Sequence, residues 1–285
     1  MAKEINYIWQ ARFALKNNWL MAVNILLDAI NEMPSDKSLY FELADIYSNR
    51  KNFDKAIEIY DKILKLDPTD DYARFKIANC YLSLNEAKLA LCFYEEIKEF
   101  MPESLYNKAI AYQKLDKNKE CISTLNELIN LNPTSELPYF FLIEQYLSAL
   151  KTDKAFKIIE KAEKQFENNP TLHFYKGVCF SYVNKHLNAY NEYRIAEKLN
   201  LENPNLLQAL GISCSHIGKI EEAIAYFKQA INKNPDTSSA YLELIKILIE
   251  KKDFNEAENV VKQLASVNAT TAALAKNLLD SFKKK

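Results

Sequence analysis

The residues of this chain that are able to do chemistry are few and scattered. His173, His186 and His216 stand far apart, with no HExxH and no Cys/His pair at metal-ligand spacing, so no metal site is expected. The stretch Gly211-Ile212-Ser213-Cys214-Ser215 has the outline of a nucleophile elbow. It lacks the second glycine, and Ser213 falls inside a predicted helix instead of a strand-to-helix turn, so it is read as a helical residue and not as a nucleophile. The 3 glycines, Gly177, Gly211 and Gly218, cannot form a Walker-type phosphate loop or a GxGxxG dinucleotide turn. Cys80, Cys92, Cys121, Cys179 and Cys214 are odd in number and include no CxxC. A reducing compartment accommodates them better than a disulfide framework does. The expectation is a chain with no catalytic residues, no metal and no cofactor, whose function lies in its surfaces.

Charge and composition narrow those surfaces further. In 285 residues, 37 Lys and Arg stand against 38 Asp and Glu, a formal net charge of −1. Nucleic acid as the main ligand would want a basic excess, so none is expected. An apolar fraction of 48% is enough for a core and argues against disorder. No apolar run reaches the ~18 residues of a spanning helix, and Met1 to Leu20 holds no signal-type run, so no membrane insertion is expected. The expected location is cytoplasmic, or periplasmic or elsewhere if a targeting segment has been removed.

The elements that position these side chains emerge from internal periodicity. Small anchors recur at Ala22, Ala56, Ala90, Cys121, Ala155, Ala189, Ala223 and Ala257, at intervals of 34, 34, 31, 34, 34, 34 and 34. Four residues later stand Leu26, Tyr60, Tyr94, Leu125, Ile159, Tyr193, Phe227 and Val261. Seven residues after the anchors stand Ala29, Ile63, Ile97, Leu128, Ala162, Ala196, Ala230 and Leu264. These offsets share one face of an α-helix. Twelve residues before the anchors, on a preceding helix, small residues prevail: Ala44, Ala78, Ala109, Gly177 and Gly211. Small side chains there let the two helices approach closely. Pro34, Pro68, Pro102, Pro133 and Pro235 close five repeats at one phase. Pro170 and Pro204 come three residues late, which predicts second helices about a turn longer there, or looser bends. In the short interval, Pro102 both ends one repeat and opens the next helix.

Each repeat thus reads as helix, short turn, helix. YFELADIYSNRKNFDKAIEIYDKILKLDP (residues 40–68) and LQALGISCSHIGKIEEAIAYFKQAINKNP (residues 207–235) resemble the tetratricopeptide repeat, with its W-x₂-L-G-x₂-Y…A-x₃-F…P signature. The resemblance covers about residues 3–270, in eight repeats starting near 3, 37, 71, 102, 136, 170, 204 and 238. Cys121 departs from it at the anchor, and Lys108 and Lys176 depart at a leucine position. The resemblance implies an all-α, right-handed superhelical solenoid whose first helices line the concave side. Residues 271–285 carry Leu274, Ala275, Leu278 and Phe282 on one apolar stripe and read as a C-terminal capping helix with a basic tail.

One series on the first helices bears on binding. Fifteen residues before the anchors lie Tyr7, Phe41, Phe75, Tyr106, Phe140 and Phe174, and Phe141 and Tyr175 follow one residue on. Two readings are open: packing between repeats, or apolar anchors of a groove for an extended or helical peptide. Glu42, Asp45, Lys76, Asn79 and Asn107 are expected to project into the same groove, where asparagine offers both a donor and an acceptor. Some members of the family grip the C-terminal carboxylate of a chaperone with a Lys/Asn/Asn/Lys/Arg set. Only Asn79 and Asn107 match that set; Phe75, Leu137 and Phe141 occupy the other positions, so the clamp is not expected.

The first repeat differs on its outer side. Leu20, Met21, Ile25 and Leu27 stand where the next repeat has Asp54, Lys55, Ile59 and Asp61. This is a candidate contact or homo-oligomerisation face, unless a rotated first helix pair buries it. The reading is a non-enzymatic scaffold for a protein or peptide of unknown identity. The alternative is the recognition or assembly arm of a larger enzyme or secretion machine, with the apolar first repeat as its contact.

Overall fold

The computed structural model describes residues 2–283, and among them it contains seventeen α-helices and no strand. They divide into two compact halves, residues 1–138 and 139–285. In the N-terminal half, four helix pairs follow one another: α1 (Ala2–Leu15) with α2 (Trp19–Glu32), α3 (Lys37–Asn49) with α4 (Phe53–Leu66), α5 (Asp71–Ser83) with α6 (Ala87–Glu96), and α7 (Pro102–Lys114) with α8 (Asn118–Leu131). α9 (Leu137–Ser148) starts at the boundary and lies mainly in the C-terminal half. There it is followed by α10 (Thr152–Glu163), α11 (Pro170–Tyr182), α12 (His186–Lys198), α13 (Leu206–His216), α14 (Ile220–Lys233), α15 (Ser238–Glu250) and α16 (Phe254–Val267). α17 (Ala269–Lys283) closes the array by packing on α15 and α16.

The anchor register explains the packing. All eight anchors are fully buried, as are Leu26, Tyr60, Leu125, Ile159 and Phe227 four residues on. Within each half, second helices such as α4, α6, α12 and α14 therefore press one apolar stripe against their own first helix and the first helix of the next repeat. At Gly177 and Gly211 the twelve-before position is small for a geometric reason, although Ile143 and Ile245 fill it in other repeats. A Cβ on Gly177 would lie 2.5 Å from the buried Tyr193 ring, and one on Gly211 would lie 2.9 Å from Phe227. Glycine at these two places lets a ring lie directly on the backbone.

A second periodicity sits in the turns. Lys51, Asn85, Asp116, Leu150, Asn184, Gly218 and Lys252, each five residues before an anchor, all adopt positive φ between 55° and 80°. The left-handed conformation reverses the chain between the two helices of a pair. Only one of the seven positions uses glycine, so the fold gets by with 3 glycines in total. Side-chain caps start several helices: Asn18 accepts from the amides of Leu20 and Met21, Asp70 from Ala73, and Asn169 from Thr171 and Leu172.

Three departures from strict repetition have local causes. In the short interval α6 stops at Glu96, and Pro102 opens α7 at its first turn. The freed amides of Lys98 and Glu99 both donate to the buried Asp71 carboxylate at 2.8 Å, which also holds Arg74 at 2.9 Å. Burial alone would raise the Asp71 carboxyl; the Glu99 and Lys98 amides and the Arg74 charge outweigh it and hold it below the ordinary 3.8. Before the late prolines, α10 and α12 are not lengthened. They end at Glu163 and Lys198, and looser bends follow in which Asn168 and Asn200 turn the chain at φ 55° and 57°. On α17 the stripe differs from the expected one: Ala272, Ala275 and Leu279 are buried, while Leu274, Leu278 and Phe282 stand exposed. The helix sits rotated by about one position, so that Ala272, Ala275 and Leu279 form the buried stripe.

Candidate functional site

The first helices of the N-terminal half carry the expected ladder, extended by a residue the anchor register did not mark. Phe41 on α3 lies 5.3 Å from the Tyr72 ring on α5, and Tyr72 lies 6.1 Å from Phe75. Tyr72 is 47% exposed and bridges the two phenylalanines. It stands three residues before Phe75, on the same helical face, and that spacing was the signal available for it.

Beside the ladder, polar side chains are tied to one another. Arg12 donates to Glu42. Tyr60 and Lys76 both donate to Asp45, the lysine at 2.9 Å, with its ammonium 5.2 Å over the Tyr72 ring. Burial opposes the charge on Lys76, but the hydrogen bond to Asp45 and its charge outweigh this and raise the lysine's pKa. One repeat further on, the Asn79 carbonyl oxygen accepts from the Tyr94 hydroxyl at 2.5 Å and from the Asn107 amide at 2.9 Å. The same plan recurs: a second-helix tyrosine and the next first helix share one acceptor. Glu42, Asp45, Lys76, Asn79 and Asn107 therefore serve partly as ties between repeats, and Asn107 keeps its carbonyl oxygen as an open acceptor.

Next to Asn107 the ladder opens into a cleft of about 400 Å³. Phe75, Tyr106, Leu128, Leu137 and Pro138 give it apolar walls, and Glu103, Asn107, Asn132 and Ser135 supply polar edges. The size falls within the ordinary range of ligand pockets, roughly 300–1,000 Å³. The Asp71 clasp on residues 98 and 99 holds the chain that leads into α7, and α7 brings Glu103, Tyr106 and Asn107 to this wall. Three of the groove residues expected from sequence, Phe75, Tyr106 and Asn107, thus meet in one cavity. Leu128, Asn132, Glu103 and Pro138 join them by folding alone.

In the C-terminal half the same spacing has a different outcome. Phe140 and Tyr175 are half-buried with rings 6.0 Å apart, and Tyr175 donates to Glu144. Phe141 and Phe174 are each only 7% exposed, so here the expectation of groove anchors is corrected: both are packing residues. Phe174 lies 5.7 Å from the Tyr193 ring and is flanked by Tyr175 at 5.8 Å.

On the outer side of the first repeat, Leu20, Met21 and Leu27 are exposed, while Ile25 packs against the core and does not belong to that face. Ile5, Trp9 and Phe13 add an exposed stripe on α1, the last two stacked at 5.7 Å. Two histidines that are distant in sequence come together: His186 and His216 stack at 3.9 Å and 8°. Among the described residues no group of three or more His, Cys, Asp and Glu is placed to hold a metal. The five cysteines are free; burial pushes the Cys121 and Cys214 thiols up to about 11 and Cys179 up to about 12, which keeps them protonated and suited to packing. No described helix is long and apolar enough to cross a membrane.

Residues 12–71 and 218–280 each match a family described as tetratricopeptide repeat. The chain is a tetratricopeptide-repeat protein. Within it, residues 49–128 match a family described as anaphase-promoting complex, cyclosome, subunit 3. Among curated relatives, the TPR repeat-containing protein MJ1428 of Methanocaldococcus jannaschii is 24% identical over 248 residues. That match covers 86% of this tetratricopeptide-repeat chain but only 37% of the relative's length. Among solved structures, the APC/C hetero-tetramer Cut9-Hcn1 aligns with a TM-score of 0.62 at 14% identity, over 91% of this chain and 52% of that one. YrrB, described as a TPR protein with an unusual peptide-binding site, aligns with a TM-score of 0.53 at 20% identity, over 65% of this chain and 96% of that one. These similarities establish a tetratricopeptide-repeat solenoid, and that fold supports a scaffold for protein–protein interaction.

Proposed function

We propose that this chain is a non-enzymatic scaffold of a reducing, cytoplasmic compartment that binds a peptide segment of a partner protein along the first helices of its N-terminal half. The observation that carries the reading is the cleft between Phe75, Tyr106 and Leu137, where half-buried aromatic rings and an open amide acceptor meet in one cavity. Rings of this kind offer large contact area at little entropic cost, as peptide grooves require. YrrB, which shares the fold, is described as having a peptide-binding site. The test is capture from native lysate by the wild-type chain, a Phe75→Ala/Tyr106→Ala variant and a Leu20→Asp/Met21→Asp variant, each verified as folded by circular dichroism. A partner retained by the wild type and by the outer-face variant, but lost by the groove variant, is the expected result. Equal retention by the groove variant overturns the reading.

A second reading is favoured by the match of residues 49–128 to a subunit of a large assembly and by the exposed apolar face of the first repeat. In it the chain is an assembly arm, and Leu20, Met21 and Leu27 contact a neighbouring subunit or a second copy. Loss of the captured partner only in the Leu20→Asp/Met21→Asp variant is the outcome that reading requires.

A further inference from the structure

The charges along the ladder are not all cancelled. On the first helices of the N-terminal half, Glu42 is paired with Arg12, and Asp45 is paired with Lys76 at 2.9 Å. Glu103, on the first turn of α7, lines the cleft and is exposed, and no ion pair or hydrogen bond engages it in the described structure. It is the charged residue in the lining of a cleft whose walls are otherwise apolar or neutral. The surrounding half reinforces its sign. Residues 1–138 carry 17 basic and 21 acidic side chains, a net of −4, although the whole chain is balanced at −1.

The polar edges complete a pattern of recognition. Asn107 gives its amide to Asn79 and retains a carbonyl acceptor at the cleft. Asn132 accepts from Thr134 at 3.0 Å and retains its amide as a donor. One acceptor and one donor at the rim of an apolar cavity suit the N–H and C=O of an extended backbone. The cavity itself takes an apolar side chain over Leu128, which is almost fully buried and forms the floor.

From this geometry we infer that the cleft selects a peptide segment in which an aromatic or branched aliphatic residue, inserted between Phe75, Tyr106 and Leu137, is accompanied by a lysine or arginine paired with Glu103. The inference rests on the peptide-groove reading and adds the ligand's charge to it. A basic side chain is attracted by the acidic half during approach and then pairs with the exposed carboxylate at the edge of the cleft. An acidic residue at the same place would face Glu103 as a like charge.

The experiment is selection of a random dodecapeptide phage library on the full chain, with counter-selection on the Phe75→Ala/Tyr106→Ala variant. Enriched peptides are then labelled and titrated by fluorescence anisotropy against wild type, Glu103→Gln and Glu103→Lys. The expected result is enrichment of an apolar residue with a neighbouring Lys or Arg. Affinity should fall about two- to fivefold in Glu103→Gln, as for an exposed ion pair, and further in Glu103→Lys. Exchanging the peptide's basic residue for Glu should restore binding to Glu103→Lys. Enriched peptides that lack a basic residue, or that bind Glu103→Gln as tightly as wild type, overturn this inference and leave the groove reading standing. Failure to enrich any peptide that depends on Phe75 and Tyr106 overturns both. Matching circular dichroism melts of the three proteins show that the loss is not one of folding.

Discussion

Both halves carry aromatics at the same offset on their first helices: in the N-terminal half the series opens into a cleft, while in the C-terminal half it is shorter and one of its two rings is core. In the N-terminal half Phe41, Tyr72, Phe75 and Tyr106 stay accessible; in the C-terminal half Phe174 is buried. The difference lies one residue further along each first helix. Glu42, Lys76 and Asn107 follow the ladder residues in the N-terminal half, and each is drawn aside by a polar partner: Arg12, Asp45 and Asn79. Their pairing leaves the rings uncovered. In the C-terminal half Phe141 and Tyr175 occupy that position, and Tyr175 lies against both Phe140 and Phe174. Phe174 is closed in by the rings of Tyr193 and Tyr175, while Phe140, with Phe141 beside it, stays half-buried. The lesson is that repeat register decides which face a residue shares, while the side chains packed around it decide whether that residue becomes core or site.

The comparison is most directly broken by truncating equivalent rings. Phe174→Ala should lower stability by about 3–5 kcal/mol, the range for an aromatic removed from a packed core. Phe75→Ala, at a half-buried ring, should cost about 1 kcal/mol or less. Urea denaturation followed by circular dichroism reads both, and equal losses would mean that the N-terminal ladder is packing after all.

A smaller effect should confine itself to the N-terminal half. Asp71→Ala leaves the amides of Lys98 and Glu99 without their acceptor and should cost about 1–3 kcal/mol. Hydrogen exchange should then rise at residues 97–101 and along α7, with residues 170–216 unchanged; a uniform rise would show that the Asp71 clasp is not local. The sign of the pH dependence follows from the same contacts. Because the folded carboxyl lies below its ordinary 3.8, its contribution is complete above that value and is lost as the pH falls through the lower, folded one. The stability difference between wild type and Asp71→Ala should therefore shrink on acidification below 3.8. A difference that stayed constant would detach the clasp from the carboxylate.

The smallest effect sharpens the contrast between turns and helices. Leu150 holds φ 55° in a turn while 73% exposed, so its side chain contributes little packing to offset a strained backbone. Leu150→Gly should raise stability by up to about 1 kcal/mol, the left-handed penalty less the added freedom of the unfolded chain. A lower melting temperature in that variant would show that Leu150 is held by contacts of its own.

Much of this architecture is written locally. The phase of anchors, second-helix apolar residues and prolines specifies helix pairs, their order and the face each one buries, because side-chain direction on a helix follows from its 3.6-residue turn. The small residue twelve before five of the anchors announced a close helix approach, and Gly177 under Tyr193 is that approach. The rotation of α17 was not legible, since Leu274, Leu278 and Phe282 make an equally good stripe on paper and only the partner surface prefers Ala272, Ala275 and Leu279. Nor was the stacking of His186 on His216, which depends on how two consecutive repeats abut.

The cleft divides in the same way. Phe75, Tyr106 and Asn107 could be named from register alone, because each lies at a fixed offset on a first helix. That Asn79 is tied to Tyr94 and Asn107, that Phe174 is core, and that Glu103, Leu128 and Asn132 share one cavity with Phe75 are outcomes of tertiary structure. They depend on distances between residues on different helices, and on which polar groups find partners there. A one-dimensional period sets the face of each helix; only packing in three dimensions sets depth, pairing and the space left between the helices.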